Sequence, residues 1–436
     1  MKIALISFMI DPTIGGGSAF SVMRLAKGLA SQGIDVFLIT THREHKSVES
    51  RIEDIKTYFL EPANLYWIGD KDRQPLIKKA LWQIWDSWNL KIYRYVKRIL
   101  AEEKPDIVHV NKLRGLSPSI WKAVDDRLCL IQTCRDYELL SPEGTLTSRV
   151  GYWASEKRWF IRPYQSFRAR LSHRIDVATA PSTYTLKVLT SFGFFPYSQQ
   201  VVVPNTHGFT NSELRVLEET ARSGRPEDNL FRHLVSSPEK CLDLLYLGRL
   251  EKVKGVEQLC TAVAALVQQY PNLHLHVAGW GQLESALLET YGSNDHIHFH
   301  GAVFGSDKDL LLRTCDALII PSTWPEVFGN VIVEAFAFGK PAIVTNIGGM
   351  PESIINGKTG FVIEPDSIMA LEKIIAQLAA EPSQLREMSS ACFVAARQFS
   401  IEEITENYLK LYNSCLAKLR QPRGETMRQD ETYSSH

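Results

Sequence analysis

Short apolar runs alternate with longer amphipathic segments along both halves of the chain. We predict strands in the first half at KIALISF, DVFLIT, DIVHV, LCLIQTC, DVATAPS and QVVVPN, and in the second half at LDLLYLG, LHLHVAG, IHFHGAV, ALIIPS, PAIVTN and GFVIEP. Near-continuous apolar strands that alternate with helical patterns predict parallel sheets with both faces covered. Since the pattern occurs twice, we predict an α/β fold of two doubly wound domains facing across a cleft. Ligands of such sheets bind at the carboxyl ends of the strands.

The domain boundary is predicted in the polar stretch from about residue 207 to 240, which has little strand signal. We therefore expect an N-terminal domain over 1–206 and a C-terminal domain over 207–395. The segment FSIEEITENYLKLYNSCLAKL predicts an amphipathic helix, which we place at 396–420. The polar tail, 421–436, is expected to be disordered.

A further amphipathic pattern lies in LWQIWDSWNLKIYRYVKRIL, residues 81–100. The apolar residues at helical spacing are Leu81, Ile84, Trp85, Trp88, Ile92, Tyr95, Val96 and Ile99. A stripe of this kind is more typical of a helix face in a protein core than of a membrane-seeking helix. We expect these side chains to be buried.

The formal net charge of zero hides an asymmetry along the chain. Residues 1–205 contain 29 Lys and Arg against 20 Asp and Glu, so the remaining residues contain 20 against 29. Either the first half faces an anionic partner, or the two oppositely charged halves attract each other.

Cysteine spacing and the chain start indicate the compartment. The seven cysteines form no C-x-x-C pair and no metal-binding spacing, as is typical of reduced thiols in a cytoplasmic protein. The start, MKIALISFMID, fits a first strand better than a secretory signal, because it lacks a small-residue cleavage site. No apolar run approaches the ~18 residues of a membrane span. We expect a cytoplasmic protein that could still be peripheral on the inner face of the membrane.

The glycine-rich segment GGGSAF, residues 15–20, stands between the first predicted strand and the first predicted helix. Glycines at a helix N-terminus let backbone N–H groups approach an anion closely. The spacing is neither G-x-G-x-x-G nor a P-loop. Two interpretations stay open, a phosphate- or sugar-facing loop and a simple tight turn.

Two cations lie in LYLGRLEKVKGVEQL, where a predicted strand passes into the next helix. Arg249 and Lys254 can both reach over the carboxyl edge of the sheet, where they would suit a diphosphate. The alternative is a solvated basic loop.

Two carboxylates stand eight positions apart in the apolar run PSTWPEVFGNVIVEAFAFGKP. Glu326 lies in the loop before a predicted helix that starts near Asn330, and Glu334 lies in the first turns of that helix. Carboxylates accept hydrogen bonds from paired sugar hydroxyls, and the amides of Gly329, Asn330 and Val331 would face a phosphate. The alternative is that Glu326 caps the helix and Glu334 lies on a solvated face.

These segments in this order resemble the family-4 retaining glycosyltransferases (glycosyl transferases group 1), which have the GT-B fold. EVFGNVIVE, residues 326–334, is similar to the family's E-x7-E signature. Further similar segments are GGGSAFSVMRLAKGLASQG, PDIVHVNKLRGLSP, GRLEKVKG, CDALIIPS and GGMPESI. The resemblance covers nearly the whole chain and implies two Rossmann-like domains, with the C-terminal helix packing back on the N-terminal domain.

The resemblance also implies a role for each matching residue. Arg249 and Lys254 would neutralise the donor diphosphate as the glycosidic bond breaks. Glu326 would hold hydroxyls of the transferred sugar, and Glu334 would accept hydrogen bonds from the ribose. The remaining donor-binding candidates are Gly16 and Gly17 on the opposite domain, Arg135, Val303 near the base, and Phe328, Gly329, Asn330 and Val331 beside the sugar and phosphate.

One segment departs from the family pattern. Many relatives have T-x-H-D-Y after the fourth strand, whereas this chain has TCRDY, with Arg135 in place of the histidine. Asp136, which follows it, is a candidate for the acceptor or sugar side of the site. Arginine donates hydrogen bonds but cannot act as a base near neutral pH. The family's H-V-H is H-V-N here and keeps only His109, for which a buried core position is the alternative to a place on the acceptor side.

No cofactor or metal is expected. The triplets D70-K-D72 and D307-K-D309 resemble the D-x-D metal motif of another glycosyltransferase fold. The GT-B layout already supplies cations from its side chains, and Asp307 is typical of the first turn of a helix.

The expected partners are a nucleotide sugar and a glycan or lipid-linked acceptor. Residues 157–174 carry six Lys and Arg with interleaved aromatic residues and no acid. They could contact an anionic membrane or a lipid diphosphate. No nucleic-acid-binding fold is predicted.

The leading hypothesis is a retaining hexosyltransferase that acts in cell-envelope polysaccharide or glycolipid synthesis. A nucleotide-sugar epimerase of the same fold and a non-catalytic sugar-nucleotide-binding protein stay open as alternatives.

Overall fold

The computed structural model of the chain describes residues 1–10, 12–44, 46–142, 144, 146, 158–223 and 241–420. The N-terminal half forms one eight-stranded sheet. Its strands are β1 Lys2–Ser7, β2 Asp35–Thr41, β3 Val48–Ile52, β4 Ile55–Leu60, β5 Ile107–Lys112, β6 Cys129–Thr133, β7 Val177–Ala180 and β8 Gln199–Val202. Their spatial order is β3-β4-β2-β1-β5-β6-β7-β8. The chain therefore reverses direction across the sheet at the carboxyl end of β1, which is where doubly wound sheets bind ligands.

The sheet edge differs from the prediction of a wholly parallel sheet, which is wrong here. Strands β3 and β4 were not predicted, and they pair antiparallel. They are joined by a two-residue turn in which Glu53 and Asp54 both have positive φ, at 47° and 65°. Two positive φ values are the geometry of a tight hairpin. Four of the five β3 residues are exposed, so this strand lacks the apolar run on which the prediction rests.

Six helices accompany this sheet in the described residues. They are α1 Pro12–Ser31, α2 Leu76–Ser87, α3 Leu90–Glu103, α4 Ser119–Ala123, α5 Arg158–Ser172 and α6 Thr183–Ser191. The side chains of 157–160 lie outside the described residues, so the predicted basic segment can be followed only from Ile161. No helix in the described residues is long and apolar enough to cross a membrane.

The predicted apolar stripe of residues 81–99 is divided between two helices with different environments. In α3, Ile92, Val96 and Ile99 are buried as predicted. In α2, by contrast, Leu81 and Ile84 are half or more exposed, and the prediction that they are buried is wrong. Trp85 and Trp88, from the same stripe, are also exposed. The break falls at Asn89, whose side chain accepts a hydrogen bond from Ile92 N and so caps the start of α3.

The C-terminal half contains six parallel strands, all of which were predicted. They are β9 Leu242–Leu247, β10 Leu273–Ala278, β11 Ile297–Gly301, β12 Ala317–Ile320, β13 Ala342–Thr345 and β14 Gly360–Ile363, in the order β11-β10-β9-β12-β13-β14. The helices are α7 Asn211–Ser223, α8 Val256–Leu266, α9 Glu284–Tyr291, α10 Gly305–Thr314, α11 Asn330–Ala337, α12 Ile368–Ala380 and α13 Ser383–Arg397. Strand β9 is the reversal point of this sheet. Arg249 follows it, and the 3-10 turn Lys252–Lys254 lies between it and α8.

The last helix, α14 Ile401–Arg420, returns to the N-terminal domain as the predicted fold requires. Its apolar face, which includes Tyr408 and Tyr412, joins the same core as Ile3 and Leu5 of β1. The predicted boundary region contains α7, whose Leu214 packs in the C-terminal core. The predicted disordered tail, 421–436, lies outside the described residues.

Candidate active site

Glu326 lies in the loop after β12, and groups of its own domain surround it. Its Oε1 accepts hydrogen bonds from Lys254 Nζ, Ser322 Oγ at 3.0 Å and Trp324 Nε1 at 2.8 Å. The side chain is 15% exposed. Burial alone would raise the pKa of Glu326, but the Lys254 ammonium and the three donors hold that pKa below its ordinary value. An ionised carboxylate therefore stands at the carboxyl edge of the C-terminal sheet.

Glu334 lies within the first turns of α11 and is bound from both domains. Its Oε1 accepts from Arg24 Nη2 at 2.9 Å, and its Oε2 accepts from Lys308 Nζ at 3.1 Å. Arg24 belongs to α1 of the N-terminal domain. Burial raises the pKa of Glu334, and Lys308 followed by Arg24 outweighs that effect and lowers it. The two predicted glutamates are therefore both charged, but only Glu334 is bound across the cleft.

The start of α11 also contacts the opposite domain. Asn330 Nδ2 donates to the carbonyl oxygen of Gly17 at 3.1 Å, and Asn330 Oδ1 accepts from Asn205 Nδ2 at 2.8 Å. Gly329 has φ of 85°, and a Cβ added there would lie 2.8 Å from Ile332 Cδ1. A glycine is thus required where the loop turns into the helix. The carbonyl of Gly17 and the side chains of Asn205 and Asn330 meet at this point.

The glycine-rich segment is not the loop that the first interpretation assumed. Gly16 and Gly17 lie inside α1, which begins at Pro12. Proline is favoured at the first position of a helix because its φ is already helical and its missing N–H is not needed there. Gly17 still faces the cleft, since an added Cβ would lie 3.0 Å from Asn330 Nδ2.

The two predicted diphosphate cations differ in their surroundings. Lys254 is paired with Glu326, as described above. Arg249 is half exposed, and its Nη1 pairs with Glu251 Oε1 at 2.6 Å. Both follow β9, so the structure brings them to the same sheet edge, but in this conformation they face different carboxylates.

The remaining donor-side candidates have mixed positions. The side chain of Phe328 is buried and contacts the ring of Phe399 at 6.0 Å, so its contribution to a ligand would have to come from its backbone. Val331 and Val303 are partly buried and pack on the same core.

Arg135 is part of a hydrogen-bond chain that reaches the other domain. Its Nε donates to Asn111 Oδ1 at 3.0 Å, and its Nη1 donates to Asn205 Oδ1. Because Asn205 donates in turn to Asn330, a relay runs from the end of β6 to the start of α11. The residue that departs from the family pattern thus positions the helix N-terminus through Asn205.

The two acceptor-side candidates lie in different environments. His109 is fully buried; its Nδ1 bonds with Tyr412 Oη at 2.8 Å and its Nε2 with Thr133 Oγ1 at 2.6 Å. Burial, assisted by the charge of Arg135, lowers the pKa of His109 to about 3, so the ring is neutral. Asp136 is partly exposed and pairs with Lys112 at 3.3 Å. His109 therefore has a core environment here, and Asp136 lies at the sheet edge.

The acidic triplets show no metal-binding geometry. Asp70 pairs with Arg43 at 3.3 Å, and Asp307 lies in the first turn of α10. Within the described ranges, no group of three or more His, Cys, Asp or Glu side chains could hold a metal ion.

The residues that the sequence analysis missed are Arg24, Asn205 and Lys308. Arg24 had a readable signal, because Gly17, Ser21 and Arg24 fall on one face of a helix at positions i, i+4 and i+7. Asn330 Nδ2 contacts Ser21 Oγ at 3.4 Å along this same face. Asn205 and Lys308 stand in segments with no comparable pattern.

Comparison with known proteins gives the family. The model "Glycosyl transferases group 1" matches residues 230–393, and the model "Glycosyltransferase Family 4" matches residues 15–206. A glycogen synthase of Mycobacterium tuberculosis is 30% identical over 405 residues, which is 90% of this chain and 89% of that protein. This chain belongs to the family-4, group 1 glycosyltransferases.

A further relative and a solved structure each match more than nine-tenths of this glycosyltransferase. An uncharacterised 42.6 kDa protein in the cps region of Klebsiella pneumoniae is 26% identical over 414 residues, covering 94% of this chain and 100% of that one. The solved structure of sucrose-phosphate synthase from Thermosynechococcus elongatus superimposes with a TM-score of 0.70 at 20% identity, covering 96% and 100% of the two chains. The glycosyltransferase has the GT-B fold, as the sequence predicted.

Proposed function

We propose that this glycosyltransferase moves a hexosyl group from a nucleotide-diphosphate sugar to an acceptor hydroxyl with retention of anomeric configuration. The observation that carries the proposal is the ionised Glu326, which accepts a hydrogen bond from Lys254 in the loop between β12 and α11. Its three donors all bind Oε1. Oε2 is therefore the oxygen that we assign to hydroxyls of the transferred sugar.

The cations supply the stabilisation that the leaving group needs. As the bond between the anomeric carbon and the diphosphate oxygen breaks, negative charge grows on the diphosphate. Lys254 and Arg249 follow β9 at the sheet edge, where they would offset that charge together with the N-terminal amides of α11. Preorganised charges of this kind stabilise the transition state without a metal ion, and we assign no metal to the reaction.

We assign the opposite end of the donor to Glu334, whose carboxylate would accept hydrogen bonds from the ribose hydroxyls. In this conformation Arg24 and Lys308 occupy both of its oxygens. A ribose would therefore share these oxygens or displace Arg24, which belongs to the other domain. Donor binding and the approach of the two domains are thus coupled through one carboxylate.

The acceptor hydroxyl attacks the anomeric carbon from the side on which the leaving group departs. The new carbon–oxygen bond forms there, and the hydroxyl proton passes to an oxygen of the departing diphosphate. No histidine is available as base at position 135, since the residue is an arginine bound to Asn111 and Asn205. If an oxygen of the donor diphosphate serves as the base, no histidine is needed, which is consistent with arginine at position 135. The relative from a cps region supports a role in cell-envelope polysaccharide or glycolipid synthesis.

A donor screen tests this function. Thermal shift and hydrolysis are measured with UDP-, GDP-, ADP- and dTDP-sugars, and the anomeric configuration of the first product is read by NMR. We expect one nucleotide class to stabilise the protein and to be slowly hydrolysed to the retained anomer. Conversion of the donor into an epimer without acceptor would show an epimerase instead. Stabilisation with no turnover, even with acceptors present, would show a binding protein.

A further inference from the structure

The outer face of α2 and the turn after it expose an unusual number of large apolar side chains. We call this surface the apolar strip. It comprises Leu76, Ile77, Leu81, Ile84, Trp85, Trp88 and Leu90, each between 44% and 82% exposed. Scattered exposed apolar residues are ordinary on a protein surface, but a contiguous group marks an interaction site.

The orientation of α2 is set by strong contacts on its inner face. Trp82 is buried, and its Nε1 donates to the carbonyl oxygen of Tyr66 at 2.9 Å. Asp86 is 2% exposed and accepts from Gly115 N at 3.0 Å. Its carboxylate also lies 3.8 Å from the guanidinium of the equally buried Arg168. A polar network therefore anchors one side of the helix, while the apolar residues point outward, the reverse of an ordinary surface helix.

The sequence range of the apolar strip is rich in cations, although Lys91 of this range pairs with Glu61 at 2.9 Å. Residues 73–94 include one acid, Asp86, which is buried and paired. The basic residues of the same range are Arg73, Lys78, Lys79, Lys91 and Arg94. Helix α5 extends this surface, because its exposed Phe167 contacts the ring of Trp88 at 6.4 Å. Arg162 and Arg170 of α5 are exposed as well.

The apolar strip adjoins the N-terminal side of the cleft. Besides the bond from Gly115 N to Asp86, Gln83 Nε2 donates to the carbonyl oxygen of Pro142 at 3.2 Å. Gly115 and Pro142 belong to the segments that follow β5 and β6, whose carboxyl ends face the other domain. An acceptor that is held at a surface in contact with α2 could therefore extend into the cleft while it stays attached to that surface.

We propose that the apolar strip docks on an anionic lipid bilayer, with its apolar side chains below the headgroups and its cations among the lipid phosphates. An amphipathic surface with a basic rim has the chemistry of such an interface. A symmetric dimer through this surface is disfavoured, because it would place each set of cations against an identical set. The docking proposal does not depend on the proposed reaction. Only the inference that the acceptor is lipid-linked rests on the proposed reaction.

The test is flotation of the full chain with vesicles of phosphatidylcholine containing 30% phosphatidylglycerol, compared with phosphatidylcholine alone. We expect binding to the anionic vesicles at low salt. The double variant Ile77→Ser, Ile84→Ser should reduce it by more than about tenfold, since two large apolar groups no longer leave water. Lys78→Gln with Arg170→Gln should reduce binding by about tenfold at low salt and less at high salt, since both of these cations are exposed.

A matched control removes equally exposed apolar groups from the other domain. Met369→Ser with Val394→Ser changes side chains that are 77% and 55% exposed and should leave vesicle binding unchanged. Thermal melting and donor hydrolysis of each variant show that it is folded, and these readouts do not require lipid. A failed donor assay would thus count against the proposed reaction and not against docking.

Three results would overturn the docking proposal. They are no vesicle binding at low salt, binding that survives Ile77→Ser with Ile84→Ser, and a concentration-dependent dimer that this variant abolishes while vesicle binding is absent. The last result would assign the apolar strip to a second copy of the chain.

Discussion

The two glutamates of the α11 segment are eight residues apart, yet they depend on different parts of the molecule. Glu326 receives its three hydrogen bonds from Lys254, Ser322 and Trp324, all in the C-terminal domain. Glu334 is held by Lys308 from its own domain and by Arg24 from the other. The donors to Glu326 thus all come from its own domain, although Trp324 packs on Tyr137 of the other domain, whereas Glu334 receives one of its hydrogen bonds directly across the cleft.

This difference indicates that the two glutamates have different roles in the proposed reaction. A group that must act on the transferred sugar benefits from fixed geometry, because preorganised charges need no rearrangement during the reaction. A group at the far end of the donor that also binds the other domain can link donor binding to domain closure. Separate substitutions at the two sites should therefore have different kinetic signatures.

The largest effect is expected at Glu326. Glu326→Gln removes the charge that pairs with Lys254, and we expect kcat for transfer to fall by roughly 100-fold or more, with a smaller change in donor KM. Lys254→Ala should have an effect of similar size, because it removes the cation assigned to the leaving diphosphate. Initial rates with the donor found by the screen give the measurement.

Glu289→Gln is the matched control for Glu326→Gln, since Glu289 is exposed on α9. It should retain the parent rate. Unchanged initial rates in either Glu326→Gln or Lys254→Ala would remove these residues from the proposed chemistry.

A smaller, pH-dependent effect is expected at Arg24. The pKa of Glu334 is lowered in part by Arg24, so its carboxylate stays ionised until the pH falls through that lowered value. In Arg24→Gln the pKa of Glu334 rises, and the loss of donor binding on acidification should begin at a higher pH. We expect donor KM to rise more steeply on acidification in Arg24→Gln than in the parent, with the smallest difference between the two proteins at pH 8.

Donor KM measured between pH 5 and 8.5 tests this expectation. Arg215→Gln, on the exposed face of α7, should leave the profile in place. A uniform increase in KM at every pH would indicate that Arg24 acts by domain contact alone and not through the ionisation of Glu334.

The smallest effect is expected at Gly17. In Gly17→Ala the new methyl group would lie 3.0 Å from Asn330 Nδ2, a flexible side-chain end that can shift by a few tenths of an ångström. We expect donor KM to rise by about twofold. Thermal stability should rise slightly, since Ala is favoured over Gly inside a helix by up to about 1 kcal/mol.

The effect of Gly17→Ala should disappear in an Asn330→Ala background, where the contact no longer exists. Persistence of the KM change in that background would place its origin elsewhere in α1.

The sequence predicted most of the fold because its signals are local. Twelve strands and the α11 helix could be read from apolar runs, which placed Lys254 and Glu326 in the segments after strands and Glu334 in the helix that follows. The edge strand β3 could not be predicted, because its side chains are exposed and carry no apolar run. Arg24, Asn205 and Lys308 are near Glu334 and Asn330 only because distant segments meet across the cleft.

Two further differences have a common physical reason. The period of residues 81–99 correctly predicted amphipathic helix faces, but periodicity does not say whether a face meets protein or solvent. In α3 it meets the core, and in α2 the buried side is instead the one with Trp82 and Asp86. Similarly, the glycines at 15–17 predicted that the backbone comes close to another group. They did not predict that Gly17 makes this close contact from inside a helix.

By itself the sequence determined the family, the two doubly wound domains and the pair of glutamates, since strand runs, motif order and spacing are properties of the chain. Tertiary structure alone decided which carboxylate is bound across the cleft, which residues Arg135 hydrogen-bonds to and which face of α2 is left exposed. These features depend on contacts between residues up to about 310 positions apart, such as Arg24 and Glu334, and no local pattern encodes them.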